Sequence, residues 1–211
     1  RSTLFPYTTL FRSPYSQTDA VRGGSRTLIA YRDRSPDEIR DISIIERTDQ
    51  DSWSKPRSVH ADGWKIEGCP VNGPAIAANG SRVLTVWPTQ AMGTSEVRYA
   101  IGSWSAPGAT RTLASGAGTL GRVDAASWED GFLVTFLGEA GDKAGLQLAQ
   151  VDGTGRVLAR QTVASVASTR MSGNPRLAST GERALLAWIE PDVAKKGNTV
   201  AIALVTGELQ R

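Results

Sequence analysis

The sequence predicts an all-β fold, a partial β-propeller of about three and a half four-stranded antiparallel blades. Three observations predict it: a motif that recurs at propeller spacing, period-two alternation within each copy, and no convincing helical periodicity. Gly24-Ser25-Arg26-Thr27-Leu28-Ile29-Ala30-Tyr31 matches Gly80-Ser81-Arg82-Val83-Leu84-Thr85-Val86-Trp87 in spacing and character. Gly181-Glu182-Arg183-Ala184-Leu185-Leu186-Ala187-Trp188 is a third copy, and Gly131-Phe132-Leu133-Val134-Thr135-Phe136 is a fourth with a shorter turn. The closing aromatics stand at 31, 87, 136 and 188, at intervals of 56, 49 and 52 residues.

Each copy has one grammar: a short run after Pro or Gly, a turn containing Gly, an apolar run ending in an aromatic, a polar loop, and two further strands, here A to D. In the second blade the predicted strands are Pro74 to Ala78, Arg82 to Trp87, Glu96 to Ile101 and Thr110 to Ala114. In the third they are Arg122 to Trp128, Phe132 to Leu137, Gly145 to Val151 and Arg156 to Val163. Near-continuous apolar B strands such as Val83-Leu84-Thr85-Val86-Trp87 predict burial on both faces, as when one blade packs between two others. The blades fall at about 20–62, 70–115, 121–166 and 173–211. No good A strand is visible before Gly24, and no D strand follows the run from Asn198 to Val205, so the chain is expected to begin and stop inside blades. Open edges and an exposed blade face, with marginal solubility, follow. A complete four-bladed ring is the alternative.

Residues 1–13 stand apart. They repeat Arg-Ser and Thr-Leu-Phe, fit no later alternation, and resemble translated sequencing-adapter sequence, so they are read as a non-native leader and 14–211 as the propeller. The formal charge of +3 includes Arg1 and Arg12, and no basic stripe is present, so nucleic acid is not implied. No stretch is apolar enough to span a bilayer. Cys69 is the single cysteine and His60 the single histidine, which excludes an internal disulfide framework and a multi-histidine metal site. No cofactor is implied.

Arg47-Thr48-Asp49-Gln50-Asp51-Ser52-Trp53-Ser54-Lys55-Pro56 resembles the Asp-box turn, Ser-x-Asp-x-Gly-x-Thr-Trp, that closes the third hairpin of each blade in bacterial sialidase-like (BNR-repeat) propellers. It departs from the pattern: Asp51 replaces glycine, and Asp49 to Trp53 is one residue short. Gly102-Ser103-Trp104-Ser105-Ala106-Pro107 and Asp152-Gly153-Thr154-Gly155 are further degenerate copies. The resemblance covers residues 20–205 and implies a six-bladed ring, an exported location, a glycan or other acidic ligand, and exo-sialidase activity in an intact parent. Within it Asp49 and Trp53 are structural turn residues. The rival is a non-catalytic propeller that serves as an interaction scaffold, and the missing blades of the parent chain are an implied partner.

Strand direction sorts the loops. A-B and C-D turns share one rim; B-C loops and D-to-A connections share the other, which receives the longer charged loops where function concentrates. Arg32, Arg122 and Arg176 are placed there and suit a carboxylate ligand, since each guanidinium offers a planar fork of donors. The bland reading is that each pairs with a nearby carboxylate. Asp33, Asp62 and Asp124 are acid/base candidates, whose pKa would need raising by burial or a neighbouring charge. Trp64 either stacks on a sugar face or caps the packing between two blades. No tyrosine falls in a loop of that rim, which leaves the sialidase nucleophile without a candidate. Gly116-Ala117-Gly118-Thr119-Leu120-Gly121 opens no helix and is discarded as a dinucleotide motif, and Asn79-Gly80-Ser81 is read as a hairpin turn rather than a glycosylation site.

Overall fold

The computed structural model describes residues 17–47, 52–68, 70–140, 143–169, 172–192, 197–207 and 209, and among them no α-helix is present. The first of four antiparallel sheets runs β1 (Asp19–Gly23), β2 (Arg26–Arg32), β3 (Ile42–Arg47) and β4 (Arg57–His60). The second runs β5 (Ala75–Asn79), β6 (Arg82–Thr89), β7 (Glu96–Ser103) and β8 (Thr110–Ser115). The third runs β9 (Gly121–Trp128), β10 (Gly131–Ala140), β11 (Lys143–Val151) and β12 (Val157–Val166). The fourth holds β13 (Arg176–Ser179), β14 (Arg183–Asp192) and β15 (Gly197–Thr206). Spatial order follows chain order in every sheet, and the first strands β1, β5, β9 and β13 touch one another in succession. This is the side-by-side packing of blades in a partial β-propeller.

Alternation along the second strands explains why the blades stack. Leu28 and Ala30 point one way into a cluster shared with Trp87 and Val83 of the second blade. Leu84 and Val86 point the other way into a cluster shared with Phe132, Val134 and Phe136 of the third. The aromatic closing each second strand therefore faces the preceding blade: Trp87 and Phe136 are fully buried, and Trp188 packs beside Leu137 and Leu146. Tyr31 stands on the corresponding face of the first blade and is also buried. One fully buried aromatic contributes roughly 1.5–3 kcal/mol, so these inserted rings are a principal tie between sheets.

The C-D pairs share a bulge at one place. Register shifts fall between Ile42 and Ser43, Val97 and Arg98, and Leu146 and Gln147, each just before the residue opposite the closing aromatic. The extra residue on the last strand is Val59, Leu113 or Val163, and all three turn into the inter-blade clusters. The C-D turns of the second and third blades then dock on the blade before them. Trp104 sends its indole N–H to the Gly80 carbonyl (3.1 Å) and lies under the Arg26 guanidinium, while Arg57 donates to the Trp104 and Ser105 carbonyls at 2.6 and 2.7 Å. In the next blade the Gly155 carbonyl accepts from the Tyr99 hydroxyl (2.7 Å) and from Arg111.

One expectation is corrected. An A strand does precede Gly24: β1 pairs with β2 from Asp19↔Ala30 to Gly23↔Arg26. Its five residues carry one large apolar side chain, Val21, because an innermost strand of this length is held by the ladder more than by burial. In the third A-B turn the left-handed residue is Glu129 (φ 47°), and Gly131 is needed for its missing side chain, since a Cβ there would come within 2.1 Å of the Val151 carbonyl oxygen. Both faces of β6 are buried, whereas in β14, on the outer blade, Leu186 is buried and Leu185 is 49% exposed.

Candidate functional site

The rim that gathers B-C loops and D-to-A connections carries the polar network. Register places Trp87 opposite Arg98 and Thr89 opposite Glu96, so period-two alternation brings these four side chains to one face at the rim end of the β6–β7 hairpin. Asp62, in the connection from the first blade, meets them. Its buried carboxylate accepts from the Trp87 indole (2.7 Å) and Arg98 (2.6 Å), and it pairs with His60 Nδ1 at 2.8 Å. Arg98 also donates to Glu96 at 2.6 Å. Burial alone would lower the Arg98 pKa, but the bonds and charges of Glu96 and Asp62 outweigh it and hold that pKa above its ordinary value.

Beside this network lies a cavity of about 230 Å³ between the second and third blades. Trp64 forms one wall, Val71 and Asn72 another, Leu120 and Gly121 a third, with Thr89 and Glu96 at the hairpin side. The indole of Trp64 rests on Arg32, whose guanidinium carbon lies 4.8 Å from the ring centroid. Asp41 fixes the Trp64 backbone by accepting from the Gly63 and Trp64 N–H groups at 3.1 and 3.2 Å. The Asn72 amide donates to the Leu120 carbonyl (3.0 Å), tying the two connections together. Gly121, at φ 73°, admits Pro88 so closely that a Cβ would lie 2.7 Å from it. A second cavity of about 440 Å³ adjoins the first through Val71, Asn72 and Leu120 and reaches Arg122, Gly173 and Asn174.

The three candidate arginines have different partners. Arg32 is buried and donates to three backbone carbonyls: Asn72 (3.1 Å), Arg40 (2.7 Å) and Pro88 (2.6 Å). Its burial pushes its pKa down to about 10, against the pull of Asp62 and Asp41. Arg122, at a left-handed φ of 54°, donates to the Gly173 and Thr169 carbonyls at 3.0 and 2.9 Å and lines the larger cavity. Arg176 is largely exposed and pairs with Asp124 at 3.3 Å. A carboxylate pairing is seen for Arg176, and both Arg32 and Arg122 donate to carbonyl oxygens.

The three candidate aspartates also separate. Asp33 accepts from the Arg34 N–H (2.8 Å) and the Ser43 hydroxyl (3.3 Å), where it holds the B-C loop. Asp62 is the hub just described. Asp124, on the first strand of the third blade, accepts from the Ala125 and Leu177 N–H groups at 3.0 and 2.7 Å. Burial raises its pKa; the Leu177 bond and Arg176 oppose the rise, and Asp19 adds to it. Asp19 repeats the arrangement two blades earlier, accepting from the Ile76 N–H at 2.9 Å. Trp53 makes an isolated bridge to Arg47, and Asp49 lies outside the described residues. Among the described residues no group of three or more His, Cys, Asp or Glu side chains is placed to hold a metal ion, and no helix is long and apolar enough to cross a membrane. Sequence reasoning missed Thr89, Glu96, Arg98 and Asn72. Their signal was register, which becomes readable only once Trp87 is aligned with its cross-strand partner.

No protein-family model matches the sequence, and no curated protein matches it. Solved structures do. An α-L-arabinanase from Penicillium chrysogenum, complexed with arabinobiose, aligns over 90% of this chain and 57% of its own, at 9% identity and a TM-score of 0.54. The GH32 β-fructofuranosidase of Bombyx mori aligns over 90% and 48%, at 8% identity and a TM-score of 0.54. The β-propeller domain of the Trilobed protease from Pyrococcus furiosus, which has an open velcro topology, aligns over 91% and 54%, at 8% identity and a TM-score of 0.51. At these identities the likeness shows the propeller fold, and the chain spans about half the length of each of these structures.

Proposed function

We propose that the chain recognises carbohydrate at the groove between its second and third blades, with glycoside hydrolysis belonging to an intact parent. One observation carries the reading: an indole, an amide, a hydroxyl and a carboxylate converge on a single cavity at the loop-bearing rim. A half-buried indole presents an apolar face to the C–H side of a sugar ring, and the polar groups around it supply directional bonds to hydroxyls. Propellers of the same fold include the arabinanase complexed with arabinobiose and the β-fructofuranosidase. Since one fold hosts many functions, the groove and not the fold bears the weight. An exported location and an exo-sialidase activity are the finer versions of the reading, and both rest on the Asp-box resemblance.

A non-catalytic platform is the second reading, and a specific observation favours it: the carboxylates of Asp33, Asp62 and Asp124 all accept hydrogen bonds from protein donors. A glycan array probed with the full chain tests the shared claim. Binding to at least one oligosaccharide is expected, weakened roughly tenfold by Trp64→Ala through loss of the stacking surface. Sialosides should not be turned over by this chain. Turnover lost in an Arg122→Ala, Arg176→Ala double variant would establish the sialidase reading instead, and a blank array would refute carbohydrate recognition.

A further inference from the structure

Thr89 is 3% exposed, lines the smaller cavity, and its Oγ1 has no hydrogen-bond partner. A buried hydroxyl left in that state costs stability, and such exceptions in native structures call for an explanation. Directly opposite it across the hairpin stands Glu96, which also lines the cavity. Glu96 is the only ionisable residue among those described that do so, and Arg98 grips it from behind at 2.6 Å while bonding Asp62 on the far side. Hydroxyl and carboxylate thus form an adjacent pair, one able to donate and accept, the other an acceptor held at a fixed orientation.

Resting on the carbohydrate reading, we infer that this cavity selects a neutral, hydroxyl-rich sugar over a carboxylate-bearing one, with Thr89 and Glu96 taking the sugar's hydroxyl groups. A sugar hydroxyl satisfies Thr89 and donates to Glu96, whereas a ligand carboxylate meets a like charge and has no hydrogen to give. The guanidinium that would favour an anion here is turned away: Arg32 lies behind Trp64 with its donors on three carbonyls. Arg98 acts as a positioning residue, since it reaches the cavity only through Glu96. The selection is opposite in sign to that expected of an acidic-sugar site built on arginines.

Calorimetric titration of the full chain with lactose, arabinotriose, cellotriose and mannotriose, set against sialyllactose and trigalacturonic acid, tests this. A neutral member should bind roughly tenfold tighter than either acidic one, and Glu96→Gln should narrow that gap. Thr89→Val removes an unsatisfied hydroxyl at nearly constant shape, so thermal stability should stay level or rise while neutral-sugar affinity falls roughly fivefold. A purely structural role for Thr89 would not separate those two readouts. Tighter binding of an acidic member, or neutral binding unchanged in Thr89→Val, overturns the inference and leaves carbohydrate recognition standing. No binding of any saccharide by the folded chain overturns both.

Discussion

Asp62 shows how much a carboxylate's role depends on partners that loop position does not reveal. It sits on the rim where an acid/base group was sought, yet its oxygens are occupied by the Trp87 indole and Arg98, 25 and 36 residues away in sequence. It organises the groove by fixing Arg98, and through Arg98 it fixes Glu96. Asp152 is held by local bonds within its turn. Its Oδ1 accepts from the Thr154 N–H (2.8 Å), the Thr154 hydroxyl (2.7 Å) and the Arg156 N–H (2.9 Å), closing the third C-D turn. Burial would raise its pKa, but those bonds, with Gly155, outweigh it and hold the carboxyl below its ordinary range. A depressed carboxyl stabilises the fold above its unfolded pKa and loses that contribution as pH falls through the folded value. Asp152→Ala should therefore cost about 0.5–1.5 kcal/mol near neutrality, and urea titrations should show the difference from the parent chain shrinking as pH is lowered into the carboxyl range.

At the scale of elements, the second strands were legible because an apolar run ending in an aromatic is a local pattern. The β6, β7 and β8 boundaries differ from expectation by at most two residues at either end. The bulges were not legible, since Val59, Leu113 and Val163 look like ordinary members of an alternation until the partner strand is known. Thr89 and Glu96 escaped for the same reason: they bracket the B-C loop and become neighbours only through the ladder. The docking of the second C-D turn on the first blade makes a clean test of blade packing. Gly23 has no left-handed φ, yet a Cβ there would lie 2.2 Å from the Trp104 ring. Gly23→Ala should thus destabilise by about 1–3 kcal/mol through overpacking. Urea unfolding followed by circular dichroism would show it, and an unchanged midpoint would mean that this interface is looser than described.

The whole molecule is a run of sheets each completed by its neighbour. The face of a blade turned toward the next one carries Leu28 and Ala30 in the first sheet and Leu84 and Val86 in the second, and those faces are buried. In the fourth sheet the corresponding surface presents Leu185 at 49%, Val200 at 69%, Ile202 at 65% and Leu204 at 62% exposure, the open blade face that the repeat count led us to expect. The groove is walled by the second blade, Gly121 at the start of the third and the connections flanking them, with Arg32 and Asp41 of the first blade holding Trp64 in place, so its ligand can be sought in the chain as it stands. Six tryptophans make the search specific. The most direct measurement is an indole ¹⁵N–¹H spectrum recorded during titration with a binding oligosaccharide. The Trp64 signal should move, while that of Trp104, on the opposite rim, should stay in place. Movement confined to Trp104 or Trp53, or no movement of Trp64 at saturation, would contradict a carbohydrate site between the second and third blades.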